Sequence, residues 1–137
     1  MSELPARVLP ETDDHDTGGF FAAAARGELA ICACAACGAV LHPPRAYCAG
    51  CGRWDTVWRT VSGRGRLYSW TTVEHQVHRS FPVPYTIVLV ELDDAPEARL
   101  VGYLPGRPEL APGMPLRVWF EPVGDDGTTL PQWTTDL

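Results

Sequence analysis

At 137 residues and 15.0 kDa the chain has room for one domain or two small modules, and its 45% hydrophobic, 20% charged composition is that of a folded globular protein. No stretch approaches the about 18 apolar residues of a membrane span, and the opening segment lacks a basic-then-apolar leader, so the chain is expected to avoid the membrane and reads as cytoplasmic. A net charge of −6 counts against a phosphate-backbone binder, and eleven arginines without a single lysine exclude Schiff-base or Walker-type lysine chemistry.

Residues 1–17 are polar and acidic, with Pro5 and Pro10, and are expected to form a flexible or draped N-terminal arm. Phe20, Phe21 and the run Ala22–Ala25 predict a short helix, capped by Asp16 or Thr17 and ended by Gly27. So short a helix is marginal alone and must dock through its phenylalanines. A short strand is predicted at 29–33, then a cysteine-rich unit at 34–52.

From Trp54 the pattern turns β. Residues 54–61 alternate, and 66–76 are rich in β-branched and aromatic side chains, so Gly63 and Gly65 read as a bulge inside one long strand. Tyr85–Leu92 is apolar on both faces, the mark of a central strand. Further strands are predicted at 99–104 and 116–123, with a last short one at 130–133. With no crossover helices between them, about five strands predict a small antiparallel barrel, in which a long, bent first strand turns the corner of an OB-fold. The expected organisation is therefore mainly β: arm 1–17, helix and zinc ribbon 18–53, and a five-stranded OB-fold barrel with its tail over 54–137.

Five cysteines occur, and four form Cys34-Ala-Ala-Cys37-Gly and Cys48-Ala-Gly-Cys51-Gly, separated by ten residues. Two such knuckles each deliver two sulfurs to one tetrahedral centre, and the glycine behind each pair allows the backbone to curl around them. The spacing predicts one structural Zn²⁺ on Cys34, Cys37, Cys48 and Cys51. Four thiolates discriminate weakly against iron, and a disulfide framework would need an oxidising compartment. Four protein ligands leave no open position, so catalysis at the metal is not expected. Cys32, on the strand before the first knuckle, reads as a small buried hydrophobe; His42, between the knuckles, is not needed as a ligand.

The order of these elements carries a resemblance. A short aromatic helix ends in Gly27-Glu28-Leu29, followed by Cys34-x₂-Cys37-Gly, Pro43-Pro44-Arg45 and Cys48-x₂-Cys51-Gly. Then come Gly63-Arg64-Gly65-Arg66-Leu67-Tyr68-Ser69-Trp70-Thr71, Pro84-Tyr85, Val90-Glu91-Leu92, Gly113-Met114 and Val118-x-Phe120. Over roughly residues 18–133 the chain resembles the DUF35 family, in which a rubredoxin-like zinc ribbon precedes an OB-fold. The Ala-Ala and Ala-Gly inside its knuckles depart from a more polar or proline-rich family pattern, without consequence for ligation. The resemblance implies an acyl-CoA-associated accessory protein in a hetero-oligomer. Its partners would be thiolase-like enzymes, such as condensing thiolases and aldolases that shorten steroid side chains, or hydratase-type subunits, and the partner would carry the catalytic residues.

No catalytic set of its own is legible: there is no G-x-S-x-G and no H-E-x-x-H. If acyl-CoA is a ligand, its phosphates need arginines, and Arg45, Arg64, Arg66 and Arg79 are the candidates. His75 and His78, with Arg79 and Phe81, mark a loop that reads first as solvated; the sharper reading is that it shapes the barrel mouth and meets a ligand or partner. Trp54, Trp58, Trp70, Trp119, Tyr68, Tyr85 and Tyr103 are numerous enough to raise a rival, an OB-fold stacking single-stranded nucleic acid. The acidic balance opposes that rival, and nucleic acid is not an expected partner. The aromatics are instead expected to divide between barrel filling and a partner surface.

Overall fold

The computed structural model describes residues 7–137; residues 1–6, the start of the predicted arm, lie outside the described part. Residues 7–17 form no strand or helix, but Arg7 pairs with Glu121 at 3.2 Å and places its guanidinium over the Phe81 ring at 5.4 Å.

Helix α1 spans Gly18–Ala25. Its start differs from the sequence expectation. Thr17 is the N-cap residue but makes no side-chain cap bond; the side chain that orders this end is Asp14, which fixes the turn leading into the helix. Its carboxylate accepts the Asp16 and Thr17 N–H groups and the Thr17 hydroxyl, each at 3.1 Å. The reason is local: the three residues before the helix are already turned, so the carboxylate that faces their N–H groups is the one three positions back. At the other end Glu28 N–H bonds to Ala23 O and Gly27 N–H to Ala24 O, with Gly27 at φ +76°. This is a Schellman closure, and glycine supplies the left-handed residue it needs. Ala23 and Ala24 are buried, and Gly19 lies flat against Trp58: a Cβ there would fall 2.1 Å from the indole nitrogen. The helix thus docks through small residues as well as its phenylalanines.

Strand β1 (Leu29–Cys34) is buried along its whole length and pairs antiparallel with β2 (Thr56–Val61), Leu29 facing Val61 and Cys34 facing Thr56. The predicted long bent strand is therefore two strands in two sheets. A fully buried β1 needs a hydrogen-bonding neighbour, and 56–61 supplies it. The chain then breaks at Ser62-Gly63, where Gly63 adopts φ +80° and packs so close to Val118 that no side chain would fit.

The second sheet has five antiparallel strands in the order β5-β4-β3-β6-β7. They are β3 (Arg64–Val73), β4 (Tyr85–Leu92), β5 (Arg99–Pro105), β6 (Pro115–Pro122) and β7 (Thr129–Thr134). β4 is an interior strand, paired with β5 on one side and β3 on the other, as its apolar faces predict, while the middle place belongs to β3. β3 bends: residues 64–66 pair with β6 on one side, 65–73 pair with β4 on the other, and the register shifts between Leu67 and Ser69. The bulge thus sits at Tyr68 instead of between the two glycines. β7 returns beside β5, where Gln132 Oε1 accepts the Tyr103 N–H at 3.2 Å. This five-stranded OB-fold is mainly β with one short helix, as expected.

One core serves both sheets. Leu29, Ile31 and Val61 of the first sheet join Leu67, Val88, Val90, Leu92, Leu116 and Trp133 of the barrel. A smaller cluster of Cys32, Cys34, Leu41 and Cys48, with Trp58 and Ala39 against it, fills the ribbon. Among the described residues no helix is long and apolar enough to cross a membrane.

Candidate functional site

The two knuckles are near copies. In the first, Gly38 N–H bonds to Cys34 O at 2.9 Å and Cys37 N–H approaches the Cys34 sulfur at 3.5 Å. In the second, Gly52 N–H bonds to Cys48 O at 2.8 Å. Both glycines sit at φ +79°, where a Cβ would strain the backbone. Each knuckle is closed at its base, by Cys34 N–H to Ala39 O and by Cys48 N–H to Arg53 O.

The four sulfurs lie within 4.8 Å of one another, with Cys34–Cys51 at 3.5 Å and Cys37–Cys48 at 3.7 Å. A tetrahedron of sulfurs around Zn²⁺ has edges of about 3.8 Å for Zn–S bonds near 2.3 Å. The donor set therefore fits one tetrahedral ion. Its protonation chemistry agrees. Cys34 is lowered to about 6, chiefly because the Cys37 backbone N–H points at its sulfur. Cys48 is lowered in the same way by the Cys51 N–H. At Cys51 the Arg53 N–H favours the thiolate, but the Cys34, Cys37 and Cys48 thiols together with burial outweigh it and hold the group at about 12. Four sulfurs this close cannot all shed their protons unless a cation shares the charge. Cys34 and Cys48 are buried, whereas Cys37 and Cys51 are exposed, so the centre sits at the edge of the ribbon.

Cys32 is buried but takes no part in this set; its thiol points to Arg45 O at 3.8 Å, and burial pushes its pKa up. His42 is also apart: its Nε2–H donates to Arg99 O at 3.0 Å, tying the inter-knuckle loop to β5. A nitrogen that carries a proton for a carbonyl has no lone pair for a metal. Cys32→Ala is expected to keep one metal ion per chain and the native far-UV spectrum, measured by elemental analysis and circular dichroism.

The four candidate phosphate ligands do not converge. Arg64 and Arg66 line one cleft of about 330 Å³ on the barrel. Arg45 is exposed on the loop between the knuckles, donating to Pro43 O at 3.3 Å, and Arg79 is exposed on the loop before β4. Arg117 joins Arg64 and Arg66 in the cleft and was missed, because the pairing of β6 with β3 is not visible in a single strand. In the histidine loop, His75 is exposed, and His78 accepts the Ser80 N–H at 3.1 Å, which shapes the turn. The rings of His78, Phe81, Tyr85 and Tyr103 follow one another at 5.4–6.2 Å along an open groove of about 480 Å³. Trp54, Trp70 and Trp119 are exposed, Trp58 is half-buried beside Gly19, and the tryptophan of the core is Trp133.

A family model described as the rubredoxin-like zinc ribbon domain of ChsH2 matches residues 21–55, and one for the C-terminal OB-fold domain of ChsH2 matches residues 58–121. A solved structure titled Ltp2-ChsH2(DUF35) aldolase is 32% identical, with a TM-score of 0.81 over 90% of this chain and 97% of the other. A DUF35 protein of unknown function from Sulfolobus solfataricus superposes with a TM-score of 0.55 at 18% identity, over 74% of this chain and 75% of the other, which speaks to the fold alone. Among curated proteins, a probable enoyl-CoA hydratase alpha subunit from Thermomonospora curvata is 38% identical across 86% of this chain. The chain spans 37% of that relative's length.

Proposed function

Because the chain belongs to the DUF35 family of ChsH2-type zinc-ribbon and OB-fold proteins, we propose that it is an accessory subunit that docks on and supports an enzyme acting on acyl-CoA esters. The observation that carries this reading is the likeness, across nearly the whole of the other chain, to a structure titled as an Ltp2-ChsH2 aldolase. The partner on this reading is a thiolase-like aldolase or condensing enzyme that supplies the reacting groups. The ribbon contributes a structural Zn²⁺ held by Cys34, Cys37, Cys48 and Cys51, which when bound cross-links the two knuckles and does no chemistry on substrate. The exposed aromatics support a docking role: Tyr47 and Trp54 pack at a tilt with ring centres 4.9 Å apart, and Trp70 and Trp119 lie open on the barrel. Rings of this kind anchor interfaces.

A second reading rests on the hydratase-subunit relative: the same accessory role, with a hydratase-type partner. One experiment separates them. The chain is co-expressed in turn with a thiolase-like and a hydratase-like subunit, and complexes are isolated by size exclusion. CoA-ester cleavage, condensation and hydration are then assayed for the complex and for the lone chain. A stable complex with one partner class and no turnover by the lone chain is expected. Turnover by the lone chain, or no complex with either class, overturns the accessory reading.

A further inference from the structure

Three arginines meet on one corner of the barrel. Arg64 and Arg66 flank buried Gly65 on β3, so strand alternation sends both side chains from the same face. Arg117 on β6 is the direct cross-strand neighbour of Arg64, and neighbours of that kind project together. All three are exposed, and among the described residues Asp93 is the one acidic side chain lining their cleft, which Leu137 also lines. Arg66 donates to Gly113 O at 3.2 Å, which holds its guanidinium at the rim.

This arrangement runs against the electrostatics of the rest of the chain. Seventeen acidic side chains are available against eleven basic ones; Arg7, Arg26, Arg53, Arg99 and Arg107 each meet a carboxylate, and Arg45, Arg59 and Arg79, which among the described residues do not, are scattered singly and line no common cleft. Among the described residues, Arg64, Arg66 and Arg117 form no ion pair. Like charges directly opposite on paired strands are destabilising, and an anion entering the cleft removes that repulsion.

We infer that Arg64, Arg66 and Arg117 form a binding site for a small phosphate-bearing ligand. Three planar forks converging from two strands suit a phosphate, whose oxygens accept bidentate bonds. A concave cleft of about 330 Å³ takes a phosphate with its attached sugar, which favours a small molecule over a protein surface. The choice of a phosphate ester rests on the acyl-CoA reading above; the choice of residues does not. Arg45 and Arg79 fall outside the site, and Arg117 enters it.

The test uses the full chain, adenosine 3′,5′-bisphosphate as the probe and adenosine as the uncharged control, followed by titration calorimetry over a salt series. The bisphosphate is expected to bind with an affinity that falls as salt rises, and adenosine is not. Arg117→Gln and Arg64→Gln are each expected to weaken binding about tenfold or more, the weight of one lost charge-assisted bond, with metal content and circular dichroism unchanged. Arg79→Gln is expected to leave binding within about twofold, as a surface charge outside the cleft should under screening. Absence of bisphosphate binding, or binding indifferent to Arg117→Gln, overturns the inference. So does tighter binding of a single-stranded oligonucleotide through the same arginines. So does a loss of partner capture in Arg117→Gln with bisphosphate binding intact, which would make the cleft a docking site for an acidic protein segment. Partner capture by the unsubstituted chain is scored separately, so the cleft can fail while the accessory reading stands.

Discussion

Cys34→Ser is expected to abolish stoichiometric zinc binding and to unfold the ribbon between the knuckles. Elemental analysis should fall from one ion per chain to a small fraction of that. The effect is large because the ribbon's own core is small: Leu41 is its single large aliphatic, packed with Cys32, Cys34 and Cys48. A structural zinc contributes roughly 10 kcal/mol or more to modules of this kind, as much as a whole domain's net stability of about 5–15 kcal/mol. The loss should be uneven. Leu29 and Ile31 remain anchored in the barrel core, so amide exchange should accelerate in 35–55 and stay slow in β4. A chelator at neutral pH should reproduce the pattern. Acid should do the same: ligation needs thiolates, so metal binding releases protons and its affinity falls as pH drops. Cys51, held at about 12 without a cation, is the thiol that most needs the ion in order to ionise. Retention of one zinc and of slow exchange in Cys34→Ser would remove the metal centre from the account.

At the barrel seam, Trp133→Ala is expected to lower unfolding stability by about 3–5 kcal/mol, the usual range for truncating a large buried aromatic. Trp133 is only 1% exposed and is the largest fully buried side chain. Its ring occupies the space left by Gly102 on β5, where a Cβ would stand 2.3 Å from Trp133 Cδ1. Gly102→Ala should therefore cost about 1–3 kcal/mol by overpacking. The two substitutions are coupled: once Trp133 is alanine, the same change at Gly102 meets an open space and its cost should largely vanish. Urea unfolding of the two single variants and the double variant measures this. Additive losses would mean that Trp133 and Gly102 do not close the barrel together.

The seam also shows where single-strand reasoning ends. Trp133 was not among the aromatics that stood out, because it lies in a short tail strand interrupted by Pro131. Trp54, Trp70 and Trp119, which did stand out, are exposed. Residue type fixes how much area an aromatic can bury, but its position on a closed barrel decides whether it does. The same holds for 54–61. Its alternation is a legitimate strand signal, yet nothing in it tells whether the partner is β1 or β6.

What the sequence determined by itself was the four-cysteine cluster, the order of ribbon and OB-fold, and an interior strand of the sheet. Cys34, Cys37, Cys48 and Cys51 are close along the chain, so two local turns are enough to bring them together, and the glycines at 38 and 52 declare those turns. Tyr85–Leu92 declares itself through continuous apolarity, which also requires no partner to be known. Tertiary structure decided the pairing of β1 with β2, the place of the bulge, the closure at Gly102 and Trp133, and the meeting of Arg64 and Arg66 with Arg117. Each of these depends on register between segments far apart in the chain, and register is set by the packing of a shared core after the chain has folded on itself.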